Sequence, residues 1–133
     1  MRKCQIMKKI ISLLFLLTAS STYADWTALH EDNEIIYFID LSTKNSAQRP
    51  RISVLREFKQ ATANGDQSAK VLYEADCEKN LLRLMSGVYL KKSMGNGEVS
   101  GMINSNGWMN PATRPILKKI YTTLCGDGEI LIK

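Results

Sequence analysis

The chain has 133 residues, enough for one domain of ordinary size, and 44% of them are hydrophobic and 23% charged. Its 18 basic and 13 acidic residues give a net charge of +5, but four of the basic residues, and no acidic one, lie in the first 24 positions. The remaining 109 residues are nearly neutral, with 14 basic and 13 acidic side chains. The high pI is therefore no argument for nucleic-acid binding.

The N-terminus has the pattern of a signal peptide. A basic stretch of nine residues precedes the almost wholly apolar segment Ile10–Ala19, and Thr22 and Ala24 are small enough for the −3 and −1 sites of signal peptidase. The apolar segment is shorter than the about 20 residues that span a bilayer. We expect cleavage before Asp25 and export of residues 25–133 as a single domain. A buried helix or an uncleaved anchor is the alternative.

The cysteines indicate at most one bridge in the exported chain. Cys4 is lost with the leader, and no cysteine lies between Thr18 and Asp25, so no lipid anchor is expected in the mature chain. Cys77 and Cys125 remain, and in an oxidising compartment one pairing is possible. It would enclose 47 residues. The lost loop-closure entropy of the unfolded chain would then stabilise the fold by about 4 kcal/mol. Two separate buried thiols are the alternative.

The first half of the mature chain predicts three strands. Residues 25–30 and 35–40 are separated by a polar turn and predict a hairpin. A third strand begins at Pro50, where the missing N–H does least harm. Its residues alternate, as in a half-exposed antiparallel strand. One face carries Ile52, Val54 and Phe58, with Arg56 between the last two, and the other carries Ser53, Leu55, Glu57 and Lys59.

Three more strands follow. Residues 68–77 form the fourth, and its period of two places Cys77 on the apolar face, within reach of a covering helix. Residues 81–90 form the fifth, where Gly87 predicts a bulge or a close backbone approach. A glycine-rich turn leads to a short sixth strand at 99–103.

The chain closes with an amphipathic helix. It begins at Thr113 or Arg114, with Pro115 in its first turn, and Gly126 is its stop signal. Its apolar stripe consists of Ile116, Leu117, Ile120, Tyr121 and Leu124. The predicted fold is therefore α+β, an antiparallel meandering sheet of about six strands with one C-terminal helix packed on one face.

A resemblance to a known family extends over nearly the whole mature region. The residues that carry it are Trp26, Tyr37–Ser42, Ser68–Lys70, Asp76–Cys77, Met94–Gly97, Trp108, Pro111 and Leu124–Gly126. In their order and spacing the chain resembles the surface-adhesin protein E-like domain of Gram-negative bacteria. The resemblance implies export, a mostly antiparallel sheet with a C-terminal helix, and a Cys77–Cys125 disulfide. Some relatives are outer-membrane lipoproteins that bind host matrix or serum proteins. The chain departs from them in lacking a lipidated cysteine and in having Ser53 where many relatives place tryptophan.

The candidate binding surface combines basic and aromatic side chains. Lys91 and Lys92 form the best basic cluster, and we expect them to act with the strand surface bearing Arg56 and Leu55 and with Trp108. Such a surface suits an acidic glycan or a protein partner. The alternatives are a solvated lysine turn and a tryptophan packed over the sheet edge.

No catalytic constellation, cofactor motif or metal site is predicted. Glu74 and Asp76 share one strand face. This is more typical of a solvated strand face with cross-strand partners such as Arg83 or Arg56 than of an acid–base pair or a weak cation site. His30 is the only histidine and has no nucleophile motif beside it. We expect an exported, non-catalytic binding or adhesion module. The alternatives are a periplasmic structural subunit, possible as a homodimer through a sheet edge, and a periplasmic enzyme or enzyme accessory.

Overall fold

The computed structural model describes residues 25–126 and contains one antiparallel sheet and one α-helix. The predicted signal peptide lies outside the described residues. The strands follow one another across the sheet in chain order: β1 (Trp26–Glu31), β2 (Ile35–Asp40), β3 (Arg51–Phe58), β4 (Ser68–Asp76), β5 (Leu81–Leu90) and β6 (Val99–Ile103). This six-stranded meander confirms the predicted α+β fold.

Gly87 is required where β4 and β5 approach each other. A Cβ at this position would lie 2.7 Å from Val71 Cγ1 and 2.8 Å from the Lys70 carbonyl oxygen, which is closer than real Cβ contacts. A bulge in β5 shifts the register, so that Leu72 faces Ser86 and the next residue of β4 faces Leu84. Both features predicted from the glycine are therefore present, with the bulge slightly earlier in the strand.

The hydrophobic core lies between one face of the sheet and the helix α1 (Pro115–Cys125). All five residues of the predicted apolar stripe of α1 are at most 5% exposed. They pack against alternate residues of the strands, namely Tyr37, Ile39, Ile52, Val54, Val71, Tyr73, Ala75, Leu82 and Leu84. Pro115 opens the helix, and Gly126 ends it with a φ of 89°, a conformation that side-chain-bearing residues rarely adopt.

A disulfide fixes the C-terminal end of α1 to the end of β4. The Cys77 and Cys125 sulfurs are 2.06 Å apart, with their Cα atoms 5.5 Å apart. The Tyr121 hydroxyl lies 3.3 Å from the Cys77 carbonyl oxygen and 3.0 Å from Asn80 Oδ1, and its single proton is shared between these two acceptors. The predicted bridge is thereby confirmed, since period-two alternation brings Cys77 to the face that the helix covers. Within residues 25–126, no helix has the length and apolar character needed to cross a bilayer.

Candidate functional site

The face of the sheet opposite α1, here called the helix-free face, is built from rows of directly paired residues. One row crosses five strands: Trp26, Asp40, Ser53, Leu72 and Ser86. A neighbouring row contains Phe38, Leu55, Lys70, Val88 and Met102. On the other side of the first row lie Arg51, Glu74 and Arg83. Rows two residues apart along a strand are separated by about 7 Å, so all three belong to one continuous surface.

One end of this face is closed by the turn Ser93–Gly95, which folds back from the end of β5 over β3 and β4. Glu57 accepts hydrogen bonds from the serine hydroxyl (2.7 Å) and the methionine amide (2.5 Å) of the turn. The Ser68 hydroxyl donates to the Lys92 carbonyl (2.6 Å) and accepts from the last amide of the turn (2.9 Å). As a result Leu55, beneath the turn, is completely buried. The expectation that Leu55 contributes to a binding surface is therefore wrong.

The middle of the helix-free face is an open groove of about 390 Å³. Its apolar lining includes Trp26, Leu72, Val88 and Met102, and Met102 is 72% exposed. Asp40 stands at one side, where it accepts hydrogen bonds from the Ser42 amide and hydroxyl. Apart from Thr43, every residue that lines the groove belongs to a strand of the sheet.

At the far end, a buried carboxylate holds two arginines in place. Glu74 is 2% exposed, and its Oε2 accepts from Arg51 Nε (2.9 Å) while its Oε1 accepts from Arg83 Nε (3.1 Å) and Nη2 (2.8 Å). Burial alone would raise the pKa of Glu74, but the hydrogen bonds and charges of the two arginines outweigh it and hold the pKa below its ordinary value. Glu74 is thus ionised at neutral pH, and both its oxygens are engaged.

A third arginine and a tryptophan complete this end. The guanidinium carbons of Arg83 and Arg49 lie 4.5 and 5.5 Å from the centre of the Trp108 ring, distances typical of cation–π contacts. Arg49 Nε is 3.9 Å from Asp76, whose other oxygen accepts from the Lys79 amide. The resulting cleft of about 470 Å³, here called the arginine cleft, is lined by Asn45, Ala47, Gln48, Arg49, Arg51, Glu74 and Arg83.

The four residues predicted as a binding surface do not lie together. Lys91 and Lys92 follow β5, and Lys91 Nζ contacts the Asn64 carbonyl (2.5 Å) and Asp66 (3.3 Å). Trp108 lies near the start of β5, about 25 Å away along that strand. Arg56 projects to the helix side, where it donates to the Tyr73 hydroxyl (2.8 Å). Their roles in binding stay predictions, but only Trp108 belongs to the arginine end of the helix-free face.

The candidate catalytic residues are also separated. His30 lies near the helix, with its Nδ1 3.1 Å from Lys119 Nζ, whereas Glu74 and Asp76 lie at the arginine cleft. Arg83 pairs with Glu74 as predicted. The predicted solvated face is wrong, because Glu74 and Asp76 are buried, and the alternative partner Arg56 lies on the other face of the sheet. Among the described residues, no group of His, Cys, Asp and Glu is placed to hold a metal ion.

Arg49 and Arg51 are the functional candidates that sequence reasoning missed. The alternation of β3 identifies the face of Arg51, but only the pairing register places it opposite Glu74. The connection before β3 folds back as well, since Asn45 Oδ1 accepts from the Arg51 amide (3.0 Å). No local sequence pattern in residues 41–50 predicts this contact.

Comparison with known proteins places the chain in a family. The sequence model described as surface-adhesin protein E matches residues 26–126. Among solved structures, crystal form II of Haemophilus influenzae protein E is similar, with a TM-score of 0.63 over 80% of this chain and 91% of that chain. At 10% identity this likeness shows the fold alone. Among curated proteins there is no significant match. Since the family match extends over every strand, the helix and both disulfide cysteines, the chain belongs to the surface-adhesin protein E family.

Proposed function

We propose that this protein is an exported, non-catalytic binding module of the adhesin type, and that it binds a partner bearing anionic groups through the helix-free face. One observation carries the proposal. The helix fills one face of the sheet, while the other face presents an open apolar groove beside three arginines. Apolar contact area next to well-placed guanidinium groups is the composition of binding hot spots.

The state of the acidic residues supports binding over catalysis. A general acid or base needs a pKa near the working pH and access to substrate. Glu74 is buried, fully engaged and held ionised, so it suits the positioning of arginines better than proton transfer. His30 contacts Lys119 of α1, whereas Glu74 and Asp76 lie at the arginine cleft, so the three side chains do not form one site. Family membership favours the same interpretation.

The test is binding to an immobilised extracellular-matrix preparation and to envelope fractions, using protein with its disulfide intact. Met102→Glu places a negative charge at the groove without a burial cost, since Met102 is 72% exposed. We expect saturable binding that falls about tenfold in this variant, because a misplaced charge at an interface costs more than 1.4 kcal/mol.

Ala112→Glu is the matched control. It makes the same charge change at an exposed position just before α1, at a residue that does not line the groove. We expect an affinity within about twofold of the wild type. Equal losses in both variants, or saturable binding that neither variant weakens, would exclude the helix-free face as the binding surface.

A second candidate function, self-association as a structural subunit, rests on β6. This strand ends the sheet, contains no charged residue, and exposes Val99 (57%) and Met102 (72%). Edge strands that avoid pairing usually carry charges or bulges; β6 has a bulge at Ser100, where its register with β5 shifts, but no charge. Sedimentation over a concentration series should then show a dimer that Val99→Lys dissociates; a monomer at every concentration would exclude this candidate.

A further inference from the structure

We propose that the arginine cleft binds an acidic sugar, with the sulfate or carboxylate group of a glycan seated on Arg49 and Arg51. The inference rests on the proposed binding function and specifies the chemistry of the partner. It concerns Asn45, Gln48 and the three arginines, a set that sequence patterns did not bring together.

The arginines of the cleft keep hydrogen-bond donors that a ligand could use. A guanidinium group has five N–H donors. Glu74 takes one from Arg51 and two from Arg83. Arg49 Nε, at 3.9 Å from Asp76, is beyond hydrogen-bond distance. Several donors therefore remain on each arginine, in the planar geometry that binds oxyanions bidentately.

The guanidinium groups of the cleft face solvent more than the carboxylates that pair with them. Glu74 and Asp76 are 2% and 8% exposed, whereas the side chains of Arg49 and Arg51 are 54% and 46% exposed. The carboxylates thus lie behind the guanidinium groups, which face solvent. Because the buried carboxylate fixes Arg51 and Arg83 before any ligand arrives, part of the entropic cost of ordering them is removed. Three guanidinium groups against two carboxylates leave the cleft with a net positive charge.

The polar lining of the cleft favours a glycan over an acidic peptide as its ligand. Apart from Ala47, every residue that lines the cleft is polar or charged. The amides of Asn45 and Gln48 can donate to and accept from sugar hydroxyls. A peptide hot spot needs a desolvated apolar pocket at its centre, and the cleft itself offers none. The Trp108 ring, which would otherwise anchor a peptide, already faces Arg83 and Arg49.

Tryptophan fluorescence provides a local readout. The chain contains two tryptophans, so Trp26→Phe leaves Trp108, which contacts two of the arginines, as the reporter. In this background we would titrate a heparin-derived hexasaccharide, a hyaluronan hexasaccharide, neutral maltohexaose and hexaglutamate. We expect a saturable change with one or both acidic sugars and none with maltohexaose.

Arg49→Gln is the decisive variant, because Arg49 is exposed and its loss leaves the Glu74 pairs intact. We expect its affinity for the acidic sugar to fall about tenfold. Lys119→Gln makes the same charge change at an exposed position of α1, which covers the other face of the sheet, and we expect less than about a twofold effect. Equal losses in the two variants would indicate unspecific charge attraction and would overturn the proposal.

The remaining outcomes are also decisive. Hexaglutamate that binds as tightly as the sugars, with the same dependence on Arg49, would replace the glycan by an acidic peptide. No saturable change with either acidic sugar would overturn the inference alone, provided that matrix binding is still lost in Met102→Glu. If Met102→Glu also leaves matrix binding unchanged, the proposed function fails as well.

Discussion

Glu74 is the residue that positions Arg51 and Arg83 on the helix-free face. Glu74→Gln removes a buried charge and turns an amide N–H₂ toward an arginine donor. Breaking a buried ion pair costs about 3–5 kcal/mol. Because Arg51 is nearly half exposed and Arg83 about one-third exposed, both can rotate toward water. We therefore expect the free energy of unfolding at pH 7 to fall by about 2 kcal/mol, measured by urea denaturation.

The same substitution predicts a pH dependence. The pKa of Glu74 is lowered in the folded state by Arg51 and Arg83, so the unfolded state binds the proton more tightly. The stabilisation is complete above the unfolded pKa of about 4.3 and is lost as the pH falls through the lower folded value. The stability difference between wild type and Glu74→Gln should therefore shrink as the pH falls below about 4.3 and disappear only below the folded pKa.

Glu31→Gln is the control for this charge change. Glu31 forms an exposed pair with Lys59 at 3.4 Å, and such surface pairs contribute about 0–1 kcal/mol. A Glu74→Gln variant no less stable than Glu31→Gln would mean that the buried carboxylate does not hold the arginines.

At the scale of elements, the turn Ser93–Gly95 is the least expected feature of the fold. Gly95 has a φ of 76°, and a Cβ there would clash with the Lys70 side chain and lie 3.4 Å from Leu55. The Lys70 chain can move aside, so the main cost of Gly95→Ala is the left-handed backbone. We expect a loss of about 1–2 kcal/mol in the free energy of unfolding.

Gly107→Ala is the matched control, since nothing lies within 4 Å of a Cβ at Gly107 and its φ is not positive. Its unfolding midpoint in urea should stay at or slightly above that of the wild type. If Gly95→Ala behaves like Gly107→Ala, the turn is not held in the left-handed conformation.

Elements with a regular period, and the Glu74–Arg83 pair across the short turn between β4 and β5, could be predicted from the sequence. Contacts that depend on longer connections could not. The alternation in β3 and β4 and the stripe of α1 identify the core face, because burial of that face determines which residues must be apolar. Leu55 is buried, contrary to expectation, because a turn distant in the sequence covers it. Hydrogen bonds to Glu57 and Ser68 hold this turn in place. Arg49 was missed because its position depends on how the chain before β3 folds back, which has no periodic signal.

At the scale of the whole molecule, α1 is held to the sheet by burial and by the disulfide. Removing the bridge in Cys77→Ala/Cys125→Ala releases a loop of 48 residues in sequence separation. The loop-closure estimate predicts a loss of about 4 kcal/mol in the free energy of unfolding. Tyr121→Phe removes only the hydroxyl that bonds to the Cys77 carbonyl and Asn80, and we expect about 1 kcal/mol.

The two ties act at the same helix end, so their effects should not be independent. With the disulfide absent, the Tyr121 hydroxyl is the remaining polar link between α1 and the turn after β4, and its removal should cost more than in the bridged protein. The buried stripe of α1 remains, so we expect the far-ultraviolet circular dichroism of the variant without the bridge to match the wild type below its unfolding transition. A loss of helical signal under native conditions would mean that the bridge, rather than the apolar stripe, determines where α1 packs.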